Sequence, residues 1–280
     1  MRADWPLRVL IGCEHSAMVR EEFAGIGWEA VSADLLPSEK PARVTHYPDG
    51  TSVWEPGSKA GKGQHYQGDV RDLFRWGHPL NEERYEERLA SPSAVIHGIP
   101  PLWDLAILHP PCDHIAYAGA VWFKHKDATR GGDGRMQQGA AFFMEMVGAP
   151  SPLVAVENPH SVMQKLYQPP TQIVQPWFFG DPYVKGIHLW LKGLPPLVAD
   201  HAMEDYPELF RVATGGGSWR TDKAAARKNM SAYEDSEGRV NRAKVRSRTM
   251  PGLARAMAEQ WGSFAEDYYY ENRWLPPMAG

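Results

Sequence analysis

Cysteine is nearly absent from this chain: 280 residues hold two, Cys13 and Cys112. Two thiols give neither a disulfide framework nor a zinc site of their own, no metal is expected, and they suit a reducing, cytoplasmic setting. Long apolar runs are missing, so nothing reaches the roughly 18 residues of a membrane span. The start, Met-Arg-Ala-Asp-Trp-Pro, lacks a signal-peptide core. There is no internal repeat, no coiled-coil heptad, no low-complexity tract and no complete G-x-G-x-x-G. Excess positive charge is missing too: the formal net charge is −4, so any grip on a polyanion has to be local.

The composition, 43% hydrophobic and 23% charged, is that of a globular chain able to bury the core of one large domain. Its organising stretch is Asp104-Leu-Ala-Ile-Leu-His-Pro-Pro-Cys112. The apolar run reads as a buried parallel strand, stopped by prolines that cannot donate to a ladder. Cys112 is thereby presented at a strand's carboxyl end, where open α/β sheets place ligands. A second edge of this kind follows, Leu153-Val-Ala-Val-Glu-Asn-Pro159. One strand end offers a thiol and the other a carboxylate, the pair needed to attack and protonate a pyrimidine ring.

The remaining elements spell a doubly wound α/β sheet. Leu7–Gly12 is a first strand, running through Gly12, Cys13, Glu14, His15 and Ser16 into a helix carrying Met18, Val19 and Phe23. Glu29–Asp34 is a second strand; its terminal Asp34 either takes ribose hydroxyls or caps a turn. Residues 37–65 read as a long surface loop, and residues 65–70 as a short third strand ending in Gly-Asp69-Val70. Asn81–Ala90 reads as an exposed helix and Gln137–Val147 as another. Residues 113–138, with Lys124, Arg130, Arg135 and several glycines, read as a loop that either closes over a polyanion or is a plain surface loop. From Arg211 to Arg248 there are ten Lys or Arg against four Asp or Glu, Arg220 and Arg246 among them. This stretch either meets phosphates or is a solvated basic loop. Leu253–Trp261 reads as a helix, before an aromatic, proline-rich tail that docks on the domain or on a sister subunit.

Pro-Pro-Cys112 and Glu157-Asn-Pro, in that order and each after an apolar strand, resemble the DNA cytosine-5 methyltransferases. The glycine turn, the acid Asp34 and the Gly-Asp69 pair are similar to the S-adenosylmethionine (SAM)-dependent methyltransferase fold. The resemblance implies a Rossmann-like, mostly parallel sheet over residues 1–194, a short irregular recognition region over 195–245, and a segment over 246–280 returning to the catalytic domain. It implies DNA as partner, SAM as cofactor, Asp34 (with Leu35) at the ribose and Asp69 (with Val70) at the adenine. Gly12, Cys13, Glu14, His15, Ser16 and Pro110 complete the cofactor set, although for Cys13 and His15 a structural or solvated turn is the alternative.

By the same resemblance Cys112 is the nucleophile on cytosine carbon 6, Glu157 the acid at ring nitrogen 3, and Asn158 shapes the turn that aims it. The alternatives are a small core residue for Cys112 and a capping acid for Glu157. The target base has to be flipped out of a duplex or already single-stranded. Lys124, Arg130, Arg135, Lys185, Arg220 and Arg246 are the expected DNA contacts. The chain departs from the family at four places. His109 stands where Gly precedes Pro-Pro-Cys, and either polarises the thiol or packs. Asp113 replaces Gln. Of the family's Gln-x-Arg-x-Arg only Lys185 stands in for one arginine. Arg248 replaces the Asn near the cofactor's methyl. Arg248 either points to a DNA phosphate or holds the carboxylate of carboxy-SAM, which would make the product 5-carboxymethylcytosine. A free cytosine nucleotide as substrate, and an inactive DNA-binding relative, are the competing functions.

Overall fold

A computed structural model describes residues 6–55, 62–76, 103–212, 219–235 and 247–273. The expected helix over 81–90, and Arg246, lie outside the described residues.

Nine strands make one sheet: β1 (Arg8–Gly12), β2 (Glu29–Asp34), β3 (Val44–His46), β4 (Ser52–Trp54), β5 (Gln64–Gln67), β6 (Leu105–Leu108), β7 (Leu153–Asn158), β8 (Gln172–Val174) and β9 (Ile187–Lys192). Their order is β4-β3-β5-β2-β1-β6-β7-β9-β8. The six central strands from β3 to β7 run parallel, while β9 is antiparallel to both β7 and β8, and β4 to β3. The chain winds outward from β1 through β2 to β5 on one side, and from β6 to β7 on the other. The order reverses between β1 and β6, which opens a crevice at their carboxyl ends. This is the doubly wound, mostly parallel Rossmann-like sheet expected of the methyltransferase fold.

Every residue of β1 and β6 is buried, as strands covered on both faces require. Alternate side chains supply two cores. Val9, Ile11, Ile107 and Ala155 pack with Val19 and Phe23 of helix α1 (Met18–Gly25). Leu10, Val31, Leu108 and Val156 pack with Leu73 of α2 (Val70–Trp76) and with Phe143 and Met146 of α3 (Arg135–Val147).

The chain's end closes the first core. Helix α4 (Lys223–Asp235) precedes it. Then α5 (Pro251–Ala256), a π-turn (Met257–Trp261) and α6 (Gly262–Arg273) lay Leu253, Met257 and Trp261 against that core. Proline opens α5, where its missing N–H costs nothing. Asp181 caps the same turn, its Oδ2 accepting from Gly252 N at 2.8 Å. The aromatic tail docks on its own domain as far as it is described: Tyr269 is buried and its hydroxyl donates to Asp104 O at 2.7 Å.

Three expectations change. Residues 37–65 are not all loop, because β3 and β4 form an antiparallel pair around Tyr47-Pro-Asp-Gly-Thr51. Asp49 turns that corner by accepting from Thr51 N at 2.9 Å. Residues 113–138 are not an open loop. They fold into helical turns at Tyr117–Trp122, Phe123–Lys126 and Ala128–Arg130, tied by the buried Asp127. One carboxylate oxygen of Asp127 accepts from Thr129 N, Thr129 Oγ1 and Gln137 Nε2 at 2.7–3.0 Å. The region 195–245 is not merely loop-like: β10 (Phe210–Val212) and β11 (Trp219–Thr221) pair as an antiparallel ribbon before α4. Among the described residues no helix is long and apolar enough to cross a membrane.

Gly252 leaves no room for a side chain, since a Cβ would stand 1.9 Å from the Phe179 carbonyl oxygen. Gly252→Ala should therefore push α5 off Phe179 and Asp181 and cost about 1–3 kcal/mol. A thermal-unfolding midpoint equal to wild type would show that α5 is not seated there.

Candidate active site at the strand ends

Register builds the site. Gly12 pairs with Leu108, and Leu108 with Val156, so the residues just past β1, β6 and β7 share one edge of the sheet. Gly12 is needed for this closeness: a Cβ there would meet Leu108 at 2.5 Å and Val70 at 2.7 Å. His109 N donates to Gly12 O at 2.9 Å, fastening the Pro-Pro-Cys turn to the first turn. Asn158 is buried, and its Nδ2 donates to Pro110 O at 2.9 Å. Further along, Tyr117 N donates to His160 O and Val162 N to Ile115 O, at 3.0 and 2.9 Å. The Pro-Pro-Cys and Glu-Asn-Pro ends are thus one hydrogen-bonded unit, and the structure brings Cys112, Glu157 and Asn158 together as the sequence predicts.

The electrostatics are less simple. Burial, with Asp113 and Glu157 adding, pushes the Cys112 thiol above the ordinary range, while Lys185 opposes them. For Glu157, burial pushes upward, but the His109 hydrogen bond and the charges of Lys185 and His109 prevail and hold the carboxyl below its ordinary range. That bond, His109 Nδ1 to Glu157 Oε2, spans 3.3 Å. His109 makes no hydrogen bond to Cys112: its Nε2 is buried and unpartnered. At neutral pH the thiol therefore keeps its proton, and the carboxyl is ionised.

Beside this pair lies the turn after β1. Cys13 and Ala17 both have positive φ, 59° and 61°, a strained geometry that non-glycine residues adopt where the surroundings impose it. Burial, with Asp34 and Asp69 adding, pushes the Cys13 thiol up to about 12. Glu14 corrects an expectation. It is buried and caps α1, Oε1 accepting from Val19 N at 2.8 Å and from Ser16 Oγ at 3.3 Å. Glu14 and Ser16 shape the turn and do not present themselves to a ligand. His15 stays at the rim, 3.8 Å from Asp34 Oδ2 and 3.3 Å from Glu39 Oε1.

Asp34 is held open by Leu36 N, which donates to its Oδ1 at 2.8 Å. Leu35 beside it is 73% exposed, an apolar face next to an acid. Asp69 is gripped by Arg71, whose Nε stands 3.0 Å from each carboxylate oxygen, so an adenine amine there would compete with a guanidinium. Val70 is buried and packs against Gly12. The residues therefore fit a nucleoside-bearing cofactor through Asp34, Leu35 and the strained turn, and fit less well at Asp69.

Arg248 is engaged within the chain. Its Nε lies 2.6 Å from Glu39 Oε2, and the two side chains are 15% and 12% exposed. It neither reaches outward to a phosphate nor stands as an uncompensated cation. Sequence reasoning missed Glu39, which sits in the stretch read as loop; an acid five residues past Asp34 was its only signal.

Of the expected DNA contacts, Lys124 is exposed, whereas Arg130 pairs with Asp127 at 3.2 Å and Arg135 with Asp133 at 2.6 Å. Lys185 is half-buried and near Glu157 and Cys112. Arg220 lies on β11. Among the described residues no group of three His, Cys, Asp or Glu could hold a metal ion.

No family model and no curated protein matches the chain. Among solved structures it is similar to a prophage-encoded protein of E. coli assigned as a DNA modification methyltransferase, at 14% identity and a TM-score of 0.33 over 66% of this chain. The chain spans 46% of that protein's length.

The raised thiols make a direct forecast. A thiolate forms only as pH climbs to the folded-state value, so iodoacetamide should label Cys112 slowly at pH 7–8 and faster above the ordinary thiol range of about 8.5. Cys13 should lag further, consistent with its value of about 12. Mass-spectrometric mapping reads both sites, and rapid labelling of Cys112 at pH 7 would contradict the electrostatics described.

Proposed function

We propose that the chain is a SAM-dependent methyltransferase acting on carbon 5 of cytosine in DNA. The observation that carries this reading is the bond from Asn158 to the Pro110 carbonyl, which ties the strand ends bearing Cys112 and Glu157 together at the edge they share with the turn after β1. SAM bound beside that turn would supply a methyl group electrophilic enough for transfer to carbon. Asp34 would take the ribose hydroxyls and Leu35 the adenine face, with Cys13 and His15 lining the methionine end.

Cytosine carbon 5 is a poor nucleophile until a thiolate adds at carbon 6. Cys112 makes that bond and moves electron density toward ring nitrogen 3. Glu157 meets that density with a proton, and Asn158 holds the Pro110 carbonyl so that Cys112 and Glu157 keep their spacing. Lys185, near both, offsets the charge of thiolate and carboxylate. The base reaches these groups out of the stack. Lys124, with Arg130, Arg135, Arg220 and Arg246, is assigned to phosphates, and residues 195–245 to the recognition region.

Duplex DNA containing 5-fluorocytosine, with SAM, tests the reading. Wild type should form a covalent adduct. Cys112→Ser should form none while keeping cofactor affinity, and Glu157→Gln should slow adduct formation by roughly 10²-fold or more. An adduct with the free nucleotide alone would move the substrate to a nucleotide. DNA binding without any adduct would leave an inactive DNA-binding relative.

The donor is proposed to be SAM itself. Carboxy-SAM would call for an Arg248 without another carboxylate beside it. Glu39 already provides that carboxylate at 2.6 Å, so a second would add negative charge beside Glu39 and Asp34. In a competition between the two donors, wild type should transfer methyl, and Arg248→Asn, which strips Glu39 of its cation, should favour methyl more strongly still. Preferential carboxymethyl transfer by wild type would reverse this assignment.

A further inference from the structure

Two observations set His109 apart. The register Leu108↔Val156 places residue 109 opposite residue 157, and the side chains meet at 3.3 Å, only 9% and 16% exposed. Among the described residues the imidazole has no other side-chain hydrogen bond, and its Nε2 is buried without a partner there. Glu157 gives it only Oε2, and Oε1 accepts no hydrogen bond among the described residues. The ring is thus dedicated to one oxygen of the carboxyl whose other oxygen remains for a substrate.

We infer that His109 and Glu157 act as a single proton-holding pair, which stores the proton given to the substrate's ring nitrogen. The inference rests on the cytosine reading above. A carboxylate held low by its neighbours cannot itself keep a proton near neutral pH, yet the attack of Cys112 calls for one at nitrogen 3. Two interacting groups share their titration, so one proton belongs to the pair and sits on either partner. As imidazolium and carboxylate it resides on Nδ1; as imidazole and carboxylic acid it resides on Glu157. Closing a base over the pair removes water and disfavours the charged arrangement.

The step balances within the chain. Cys112 first gives its own proton to solvent. As its sulfur bonds carbon 6, the pair's proton passes through the carboxyl to nitrogen 3, and the ring's electron pair becomes available at carbon 5. On elimination the proton of carbon 5 leaves to water, the sulfur–carbon bond breaks, and the nitrogen 3 proton returns to the pair. His109 touches Glu157 and not the substrate, so it is a positioning and proton-storing residue. The other charged or titratable groups facing the pair are Lys185 before β9, His188 on β9, and Cys112 and Asp113 beyond β6.

The test is the rate of 5-fluorocytosine adduct formation between pH 5 and 8.5. The thiol ionises above the pair, so in wild type thiolate gained and pair proton lost cancel over a plateau, and the rate drops on the acid side where the pair is already protonated. That break reports the shared titration of the pair, and a carboxyl without its imidazole partner would break at lower pH. His109→Gln keeps a donor for Oε2 but stores no titrating proton. It should lower the plateau about 10²-fold and carry the break to lower pH by a matching amount, with cofactor affinity unchanged. A uniform loss with the break left in place, or no loss, overturns the inference and leaves the methyltransferase reading standing. A wild-type profile without a break between pH 5 and 8.5 overturns it without any variant. Absence of an adduct in wild type overturns the cytosine reading and this inference with it.

Discussion

The pairing of β6 between β1 and β7 is the constraint on which the crevice depends. Those ladders fix where Gly12, Pro110 and Glu157 end up, because strands held side by side must deliver their next residues to one edge. A slip of one residue in either ladder would turn Val156 and Leu108 to the wrong core and carry Glu157 away from His109. The register is therefore protected by the apolar side chains on both faces, and the reactive groups inherit their precision from packing. The bond from Asn158 to the Pro110 carbonyl then ties the two chain segments beyond the last ladder bond.

A second layer of control comes from the chain's end. Asp181 and Gly252 seat α5, and the helices that follow cover the same core that backs β1, β6 and β7. This also fixes Arg248, three residues ahead of Pro251, against Glu39. Residues near position 250 thus finish a surface begun by residues near position 40, and neither segment makes that surface alone.

This explains what was legible in the sequence. The strands β1, β2, β6 and β7 announce themselves, since a buried parallel strand is a continuous apolar run and each is stopped by Gly, Asp or Pro. Cys112 and Glu157 were readable because they follow such runs directly. The β3–β4 pair was missed because its strands are three residues long and lie amid Pro, Gly and Lys, although Pro48-Asp-Gly50 was a usable turn signal. The order of residues 113–138 was hidden because it rests on one buried carboxylate, Asp127, gathering donors from two and from ten residues further on. Glycine and lysine content there described the composition truly and the conformation wrongly. Glu14 and Arg248 have partners the sequence does not announce: a charged residue near a turn looks free until its partner is known, and the partners are a helix amino terminus and Glu39.

The charge pattern of the crevice has its own logic. Asp34, Glu39, Glu157 and Asp113 face it or border it, against Arg248, Lys185 and the histidines. Carboxylates so placed favour a cationic ligand and raise the cost of a second anion, and they act most strongly where water is thin. Cys112 bears that cost, for Asp113 and Glu157 are what oppose its ionisation beyond burial itself. The same acids would oppose a nucleic-acid backbone drawn into the crevice. On the proposed reading a polyanion would have to stay outside the crevice, with a neutral base alone entering.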